Sequence, residues 1–128
     1  MVDLVVHNAT VVTMDRCFTV LENHDVAVSD GLIAGIGPAG DLGPAHQVID
    51  AAGQLLLPGL VNGHTHVGMA YFKGTAAAMA LFKWLEWGWF YIERMDDDDI
   101  YWAAMLACME MIRAGVTTFS DMYFSEHV

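Results

Sequence analysis

Basic residues are scarce in this chain of 128 residues, which has 5 lysines and arginines against 16 aspartates and glutamates and a formal net charge of −11. A surface that binds nucleic acid needs a basic face to meet the phosphates, so the charge balance argues against nucleic acid as a partner. Cysteine is also scarce. Cys17 and Cys108 lie far apart and form neither a disulfide framework nor a Cys-x-x-Cys metal pattern, which predicts a reducing, cytoplasmic location.

Long apolar runs are missing as well. A membrane-spanning helix needs roughly 18 consecutive apolar residues. The nearest stretch, residues 79–92 ("MALFKWLEWGWFYI"), is too short and contains Lys83 and Glu86. The N-terminus has Asp3 and no basic region, so it does not resemble a secretory signal. We therefore expect no contact with a membrane.

Short aliphatic and β-branched runs, separated by turn signals, occupy residues 1–57. Asp30-Gly31 lies between two such runs and predicts a tight hairpin, because both central residues of that turn need positive φ. Asn8-Ala9 and Ala52-Gly53 are further turn candidates. This part of the chain is predicted to be a domain made of strands.

The pattern changes at Pro58. Residues 59–69 read as a buried strand, residues 76–92 have helical spacing, and residues 116–124 ("VTTFSDMYF") read as a second buried strand. Strand, helices and strand in this order predict a parallel α/β unit over residues 58–128.

Four consecutive aspartates, Asp96 to Asp99, precede the second helical stretch. Asp96 or Asp97 is expected to cap that helix, with the other acids near its positive end; an acidic metal site is the weaker alternative. Gly115 is expected to end the helix. The core-facing stripe is predicted to be Ile100, Ala103, Ala104, Ala107, Cys108, Met111 and Ala114.

Two histidines, His64 and His66, lie where the first buried strand gives way to a loop, in "PGLVNGHTH". Residues i and i+2 of a strand point to the same side, so both imidazoles can reach one metal ion while Thr65 points away. Neutral imidazole is a common ligand of zinc and other divalent ions. The alternative is a pair of ordinary surface or core histidines.

A catalytic zinc usually has three protein ligands and one open position. The sequence offers no convincing third ligand. Asp121 either faces the mouth of a site or makes a loop hydrogen bond, and a role for Glu126 or His127 is unsupported. The remaining histidines are expected to be ordinary surface residues: His7, His24 and His46.

The stretch "IDAAGQLLLPGLVNGHTHVGM" resembles the first-strand signature of the amidohydrolase superfamily. The later stretches "KWLEWGWFYIERM" and "CMEMIRAGVTTFSDMYF" resemble the branch with 5-methylthioadenosine/S-adenosylhomocysteine deaminases and related chlorohydrolases and guanine-type deaminases. The resemblance covers essentially the whole chain.

The resemblance implies an α/β fold: the first units of a metal-dependent (β/α)8 TIM barrel over residues 58–128, preceded by strands of a small composite β-sandwich domain over residues 1–57. It implies one divalent metal ion, zinc or alternatively iron, with His64 and His66 as ligands. The family's other ligands and its proton-transfer glutamate would lie beyond residue 128, so no catalytic residue is expected within this chain. We therefore expect it to be the N-terminal part of a longer enzyme and inactive alone.

Glu93, in "FYIERM", matches by spacing the family's acid that holds the ribose hydroxyls of adenosine-type substrates. A carboxylate can accept hydrogen bonds from both hydroxyls of a ribose diol. The alternative is an acid at a helix end that pairs near Arg94.

Several positions depart from the family pattern. Lys73 replaces an arginine, residues 76–78 are alanines where acids are usual, and Gly68 replaces a proline. The stretch "WGWFY" (residues 87–91) is unusually aromatic. These differences concern the substrate mouth and leave the histidine pair unchanged.

The predicted activity is hydrolysis of a C–N bond in a cyclic amidine, most simply deamination of an adenosine-type nucleoside by metal-hydroxide attack. The first alternative is a chlorohydrolase or guanine-type deaminase of the same superfamily. The second is a non-catalytic fragment or a metal-binding module assembled with a partner. The expected partners are a small-molecule substrate and, in the complete protein, further copies of the same chain.

Overall fold

The computed structural model describes residues 1–122. The chain forms two compact units, Met1–Pro58 and Gly59–Val128. The elements in chain order are β1 (Val2–Val12), β2 (Val20–Ser29), β3 (Leu32–Pro38), β4 (Ala45–Asp50), β5 (Leu55–Leu56), β6 (Leu60–Thr65), a 3₁₀ helix (Val67–Phe72), α1 (Leu81–Ile92), α2 (Asp97–Arg113) and β7 (Val116–Asp121).

The first unit is a mixed sheet in which the described strands follow the order β3-β2-β1-β4, with β5 also paired to β1. β2 runs antiparallel to β1 and β3, whereas β4 and β5 run parallel to β1. Small and β-branched side chains from the strands and the following turn form its core: Ala9, Val11, Val26 and Ala51.

Two predicted turns of this unit are confirmed. Asp30 and Gly31 have φ of 51° and 74°, and they join β2 to β3 in the register Ser29↔Leu32. The turn at Ala52-Gly53 closes with a 2.9 Å hydrogen bond from the Gln54 N–H to the Ala51 carbonyl.

The turn predicted at Asn8-Ala9 is wrong, because β1 continues through both residues. Asn8 has φ of 58°, and the register between β1 and β2 shifts between Val6 and Ala9. This is a β-bulge, which places one extra residue in a strand without ending the ladder. Pairing with β2 on both sides of Asn8 overrides the local turn preference.

In the second unit β6 and β7 pair in parallel, and the helices lie between them in sequence. Asp96 caps α2: its side chain accepts from the Asp99 N–H, and the Asp99 side chain accepts from the Asp96 N–H. Gly115, with φ of 80°, follows the last residues of the helix. The predicted order of strand, helices and strand is confirmed, and so is the coarse α/β class.

The predicted helical start at residue 76 is too early, since α1 begins at Leu81. Gly74 has φ of 78°, and the Thr75 hydroxyl donates to the Phe72 carbonyl over 2.6 Å. These features favour turns over residues 73–80, and alanine alone does not overcome them.

The predicted stripe of α2 packs against the 3₁₀ helix, with Val67, Ala70, Ala103 and Ala107 buried together. Ile100 is also buried, whereas Ala114 is exposed.

The prediction that the strands of this unit are buried is wrong for the described residues. Leu60 is 48% exposed, Val61 71% and Phe119 39%. Within residues 59–122, β6 has β7 as its strand partner, and a two-stranded sheet cannot enclose both of its own faces. No helix in residues 1–122 combines the length and the apolarity needed to cross a membrane.

Candidate metal centre

The two histidines of the sequence motif lie together at the end of β6. Their Nε2 atoms are 3.3 Å apart, and the ring planes meet at 88° with centroids separated by 5.0 Å. β6 ends at Thr65, and His66 is the residue before the 3₁₀ helix. The strand pleat therefore brings both imidazoles to one side, as the i, i+2 spacing predicts.

The separation of the nitrogens fits two corners of a tetrahedral site. Two imidazole nitrogens that bind one zinc at about 2.0–2.1 Å lie about 3.3–3.4 Å apart. The pair is thus already spaced as it would be around a single ion, and His64 is exposed. The residues present fit half of a divalent metal site.

The orientation of His66 is set by a backbone carbonyl at the end of the neighbouring strand. Its Nδ1 lies 2.6 Å from the carbonyl oxygen of Met122. A carbonyl only accepts hydrogen bonds, so Nδ1 carries the proton and Nε2 presents a lone pair. Metal-bound histidines almost always donate their other ring N–H in this way.

His64 is held from its backbone. The side-chain oxygen of Asn62 accepts a 3.2 Å hydrogen bond from the His64 N–H, and the amide nitrogen of Asn62 lies 3.8 Å from the Met111 sulfur of α2. Asn62 thus connects the histidine to the helix that packs behind it. Sequence reasoning gave no role to Asn62.

Asp121 makes the loop hydrogen bonds that were one of its two expected roles. Its Oδ1 accepts from the N–H of Val67 over 3.1 Å and from the N–H of Met122 over 3.0 Å. The Met122 N–H also donates to the Thr65 carbonyl over 3.0 Å. The residues that follow the two strands are therefore joined directly to each other.

Sequence reasoning missed Met122, whose contribution is a carbonyl oxygen. Every residue type has that group, so no residue identity could have indicated it. Only the parallel pairing of β6 with β7, in the register Thr65↔Asp121, brings it to His66.

No third ligand joins the pair within the described residues, where no group of three or more His, Cys, Asp or Glu side chains is arranged to hold a metal. His7 instead pairs with Asp25 over 2.9 Å, and His24 contacts the Glu22 carbonyl over 2.7 Å. Glu126 and His127 lie outside the described residues.

Glu93 lies at the C-terminal end of α1, where its side chain is exposed. Arg94 does not pair with it: the Arg94 guanidinium stacks 3.7 Å above the Phe90 ring and donates to the Phe90 carbonyl over 2.5 Å. In the described part of the chain, no hydrogen bond or ion pair joins Glu93 to His64 or His66.

Aromatic packing joins α1 to the 3₁₀ helix that follows His66. Phe72 and Trp87 have ring centroids 5.4 Å apart, and Tyr91 lies 5.6 Å from Phe72 and 4.8 Å from Trp87. Lys73, the residue after the 3₁₀ helix, forms an ion pair with Glu110 of α2. The segment after the metal motif is thus held by both helices.

Known proteins match this chain along nearly its whole length. A 5-methylthioadenosine/S-adenosylhomocysteine deaminase from Syntrophobacter fumaroxidans is 43% identical over 98% of the chain. A 5'-deoxyadenosine deaminase from Methanosarcina barkeri is 44% identical over 97% of the chain. The chain spans 30% and 29% of the lengths of these two relatives.

Solved structures of related enzymes also match nearly the whole chain. An adenosine deaminase from Xanthomonas campestris with bound zinc matches 96% of the chain with a TM-score of 0.88 and 32% identity. A zinc complex of atrazine chlorohydrolase from Arthrobacter aurescens matches 92% of the chain with a TM-score of 0.81 and 26% identity. The chain covers 29% and 28% of those two proteins.

The sequence profile described as the Amidohydrolase family matches residues 55–128, which include β6, both histidines and β7. That match covers more than half of the chain and contains the candidate metal centre. The chain therefore belongs to the Amidohydrolase family.

Proposed function

We propose that this chain is the N-terminal part of a metal-dependent hydrolase that deaminates an adenosine-type nucleoside, with 5-methylthioadenosine or S-adenosylhomocysteine as its substrate. The observation that carries the proposal is the 3.3 Å separation of the His64 and His66 Nε2 atoms at the end of β6. In the complete protein, residues 58–128 begin a (β/α)8 barrel, and residues 1–57 belong to a small β-sandwich. A barrel of this kind takes about 250 residues.

The names of the relatives support the substrate class. The two relatives described above act, by their names, on methylthioadenosine, adenosylhomocysteine or deoxyadenosine, all of which are purine nucleosides. The exposed apolar faces of β6 and β7 support the barrel, because further strands and helices would cover Leu60 and Val61.

His64 and His66 would hold one divalent ion, zinc in this proposal and iron as the alternative. When bound, such an ion lowers the pKa of a coordinated water to near 7 and so supplies hydroxide at neutral pH. The Met122 carbonyl keeps the proton of His66 on Nδ1, so that Nε2 remains free to bind. In the reaction water adds to the ring carbon that bears the amino group, and ammonia leaves. Residues elsewhere in the protein transfer the protons.

Glu93 would bind the ribose. The stacking of Arg94 on Phe90 supports this role, because the Arg94 guanidinium then does not pair with Glu93. The carboxylate of Glu93 is exposed. An ionised carboxylate accepts hydrogen bonds from two hydroxyls, which matches the 2' and 3' hydroxyls of a nucleoside.

A chlorohydrolase is the second candidate. The similarity to the zinc-bound atrazine chlorohydrolase favours it, and so does the aromatic group of Phe72, Trp87 and Tyr91, which follows the histidines in sequence and suits a flat heterocycle. Guanine-type deamination is a further variant of the same chemistry. A module that binds one metal between two copies of the chain is the non-catalytic alternative, since the described residues supply two ligands.

His66→Ala in the complete protein tests the metal centre. We expect bound zinc, measured by elemental analysis after gel filtration, to fall from about one per chain to near zero, with loss of turnover. His46→Ala, at an exposed histidine of β4, is the matched control and should keep both. Full zinc and normal turnover in His66→Ala would contradict the proposal. One zinc per two chains in the parent would favour the shared module.

Glu93→Gln tests the nucleoside. We expect KM for 5-methylthioadenosine to rise by about 10-fold or more, as for loss of a hydrogen bond to a charged group, with zinc content unchanged. Glu86→Gln on the same helix is the control, since Glu86 makes an exposed ion pair with Lys83. An unchanged KM for the nucleoside, together with turnover of a chlorotriazine, would favour the chlorohydrolase.

The oligomeric state and the cellular compartment of the complete protein are also proposals. A homo-oligomer remains proposed for the complete protein. The cytoplasm remains the proposed compartment, because Cys17 and Cys108 are both unpaired.

A further inference from the structure

We propose that Asp121 is a positioning residue for the metal ligand His66, and that it acts through Met122. This inference rests on the proposed function, because it takes His66 as a ligand. It assigns a role to a carboxylate that does not itself bind the metal.

One oxygen atom carries the interaction. Oδ1 of Asp121 accepts from the N–H of Val67, the residue after His66, and from the N–H of Met122, the residue after Asp121. These distances are 3.1 Å and 3.0 Å. The carboxylate therefore joins the two segments that leave β6 and β7, next to the histidine.

The consequence falls on the ring of His66. Met122 is fixed at its N–H by Asp121 and by the Thr65 carbonyl, and its own carbonyl meets His66 Nδ1 at 2.6 Å. That contact selects the tautomer with the proton on Nδ1 and fixes the direction in which Nε2 points. Without Asp121 the carbonyl loses one of the two bonds that hold its residue in place.

A direct ligand role for Asp121 fits the structure less well. Oδ1 already accepts two backbone N–H groups, and within residues 1–122 Asp121 does not form a metal-binding group of three with the histidines. Charge-assisted hydrogen bonds from backbone N–H groups to a carboxylate are roughly twice as strong as neutral ones. Such bonds suit a residue that holds the backbone on both sides of a metal ligand.

The test compares Asp121→Ala, Asp121→Asn and Asp121→Glu in the complete protein, with zinc affinity measured by competition with a chromophoric chelator. We expect Asp121→Ala to weaken zinc binding by about 10- to 100-fold, as for other residues that orient a metal-bound histidine. Asp121→Asn keeps an acceptor oxygen and should stay within about 3-fold of the parent. Asp98→Ala, an exposed aspartate of the first turn of α2, is the control and should match the parent.

Cobalt substitution separates positioning from general stability. We expect the visible d–d bands of the cobalt-saturated protein to shift in Asp121→Ala and to be unchanged in Asp98→Ala. A lower melting temperature with parental zinc affinity and parental cobalt bands would overturn the proposal. If Asp121→Ala does not fold, Asp121→Glu provides the test. Its longer side chain displaces the carboxylate oxygen and should weaken zinc affinity several-fold. A parental zinc affinity in Asp121→Glu would overturn the proposal.

His66→Ala separates this inference from the one on which it depends. A parent that binds no zinc overturns both. A parent whose zinc is lost in His66→Ala but kept at full affinity in Asp121→Ala overturns only the role of Asp121.

Discussion

Asp25 in the first unit and Asp121 in the second each accept hydrogen bonds from two backbone N–H groups, but the two carboxylates differ in their surroundings. Asp25 in the first unit is 2% exposed and accepts from Asn8 and Gly40, each over 2.8 Å. Asp121 in the second unit is exposed and accepts from Val67 and Met122. The first carboxylate is buried and binds the backbone of the bulge at Asn8 and of the turn at Gly40. The second holds the residues that flank His66, the ligand in our proposal.

The pKa of Asp25 reflects this enclosure. Burial raises its pKa, but the hydrogen bonds from Gly40, from Asn8 and from His7 outweigh burial, and the pKa lies below its ordinary value of 3.8. A carboxyl with a lowered pKa stabilises the fold fully above the unfolded value. That contribution is lost as the pH falls through the folded value.

The comparison extends to the apolar residues. The first unit buries Ala9, Val11 and Val26 in its own core, whereas β6 of the second unit leaves Leu60 and Val61 exposed. A carboxylate that is enclosed as fully as that of Asp25 serves stability. Where strand ends project toward solvent, polar groups such as Asp121 can serve a site.

The largest effect is expected for Asp25→Ala. It leaves the Asn8 and Gly40 N–H groups without their acceptor, which should cost about 2–4 kcal/mol in the free energy of unfolding. Hydrogen exchange of peptides from the first unit, measured in the complete protein, would locate the loss, and the zinc affinity should not change. Asp41→Ala, at an exposed aspartate beside the same turn, is the control. A loss of zinc as large as that in Asp121→Ala would break the comparison between the units.

Asp25→Asn adds a pH dependence to the same test. Its stability deficit relative to the parent should be full at pH 5–7 and should shrink below about pH 3.8, because Asp25 then protonates in the unfolded parent before it does so in the folded parent. A deficit that is constant from pH 7 to pH 3 would show that the charge of Asp25 does not matter.

A smaller effect is expected for Gly59→Ala at the start of the second unit. A Cβ on Gly59 would meet the side chain of Thr117, with the two Cβ atoms 2.7 Å apart. Overpacking of this kind costs about 1–3 kcal/mol and should separate the first residues of β6 and β7. Gly63→Ala, within β6, is the control, because nothing lies within 4 Å of a Cβ there.

Hydrogen exchange of the β6 and β7 peptides would report the Gly59 effect. A second substitution, Thr117→Gly, should restore part of the lost protection by removing the opposing side chain. Equal exchange in the Gly59 and Gly63 variants would contradict the close approach of the two strands.

The smallest effect is expected for Lys73→Met, which removes the ion pair with Glu110. Both side chains are about half exposed or more, so the loss should be about 0–1 kcal/mol and should vanish at high salt. Thermal unfolding at two salt concentrations checks this, with Lys83→Met as the control for an ion pair within one helix. A salt-independent loss above about 2 kcal/mol would mean that the pair is buried in the complete protein.

Sequence alone predicted the features that depend on near neighbours. The Asp30-Gly31 hairpin, the Asp96 cap and the spacing of His64 and His66 each follow from residues within a few positions of one another. The residues that complete those features come from far along the chain. Asp25 lies 17 positions from Asn8, and Met122 lies 56 positions from His66, so only strand pairing could identify them. Asn8 illustrates the limit, because a local turn signal became a bulge once β2 paired on both sides of it.

The contact between His66 and Met122 has a consequence for the order of events in biosynthesis. His66 leaves the ribosome 56 positions before the carbonyl that orients it, and His64 precedes His66. If the pair binds a metal ion as proposed, the ion meets an unaligned pair in the nascent chain until β7 docks beside β6. By mass action an ion that prefers the aligned pair also favours that docked state. In that proposal the availability of metal acts as a checkpoint on assembly, and cells starved of the metal should accumulate this protein with the β6–β7 pair loosened.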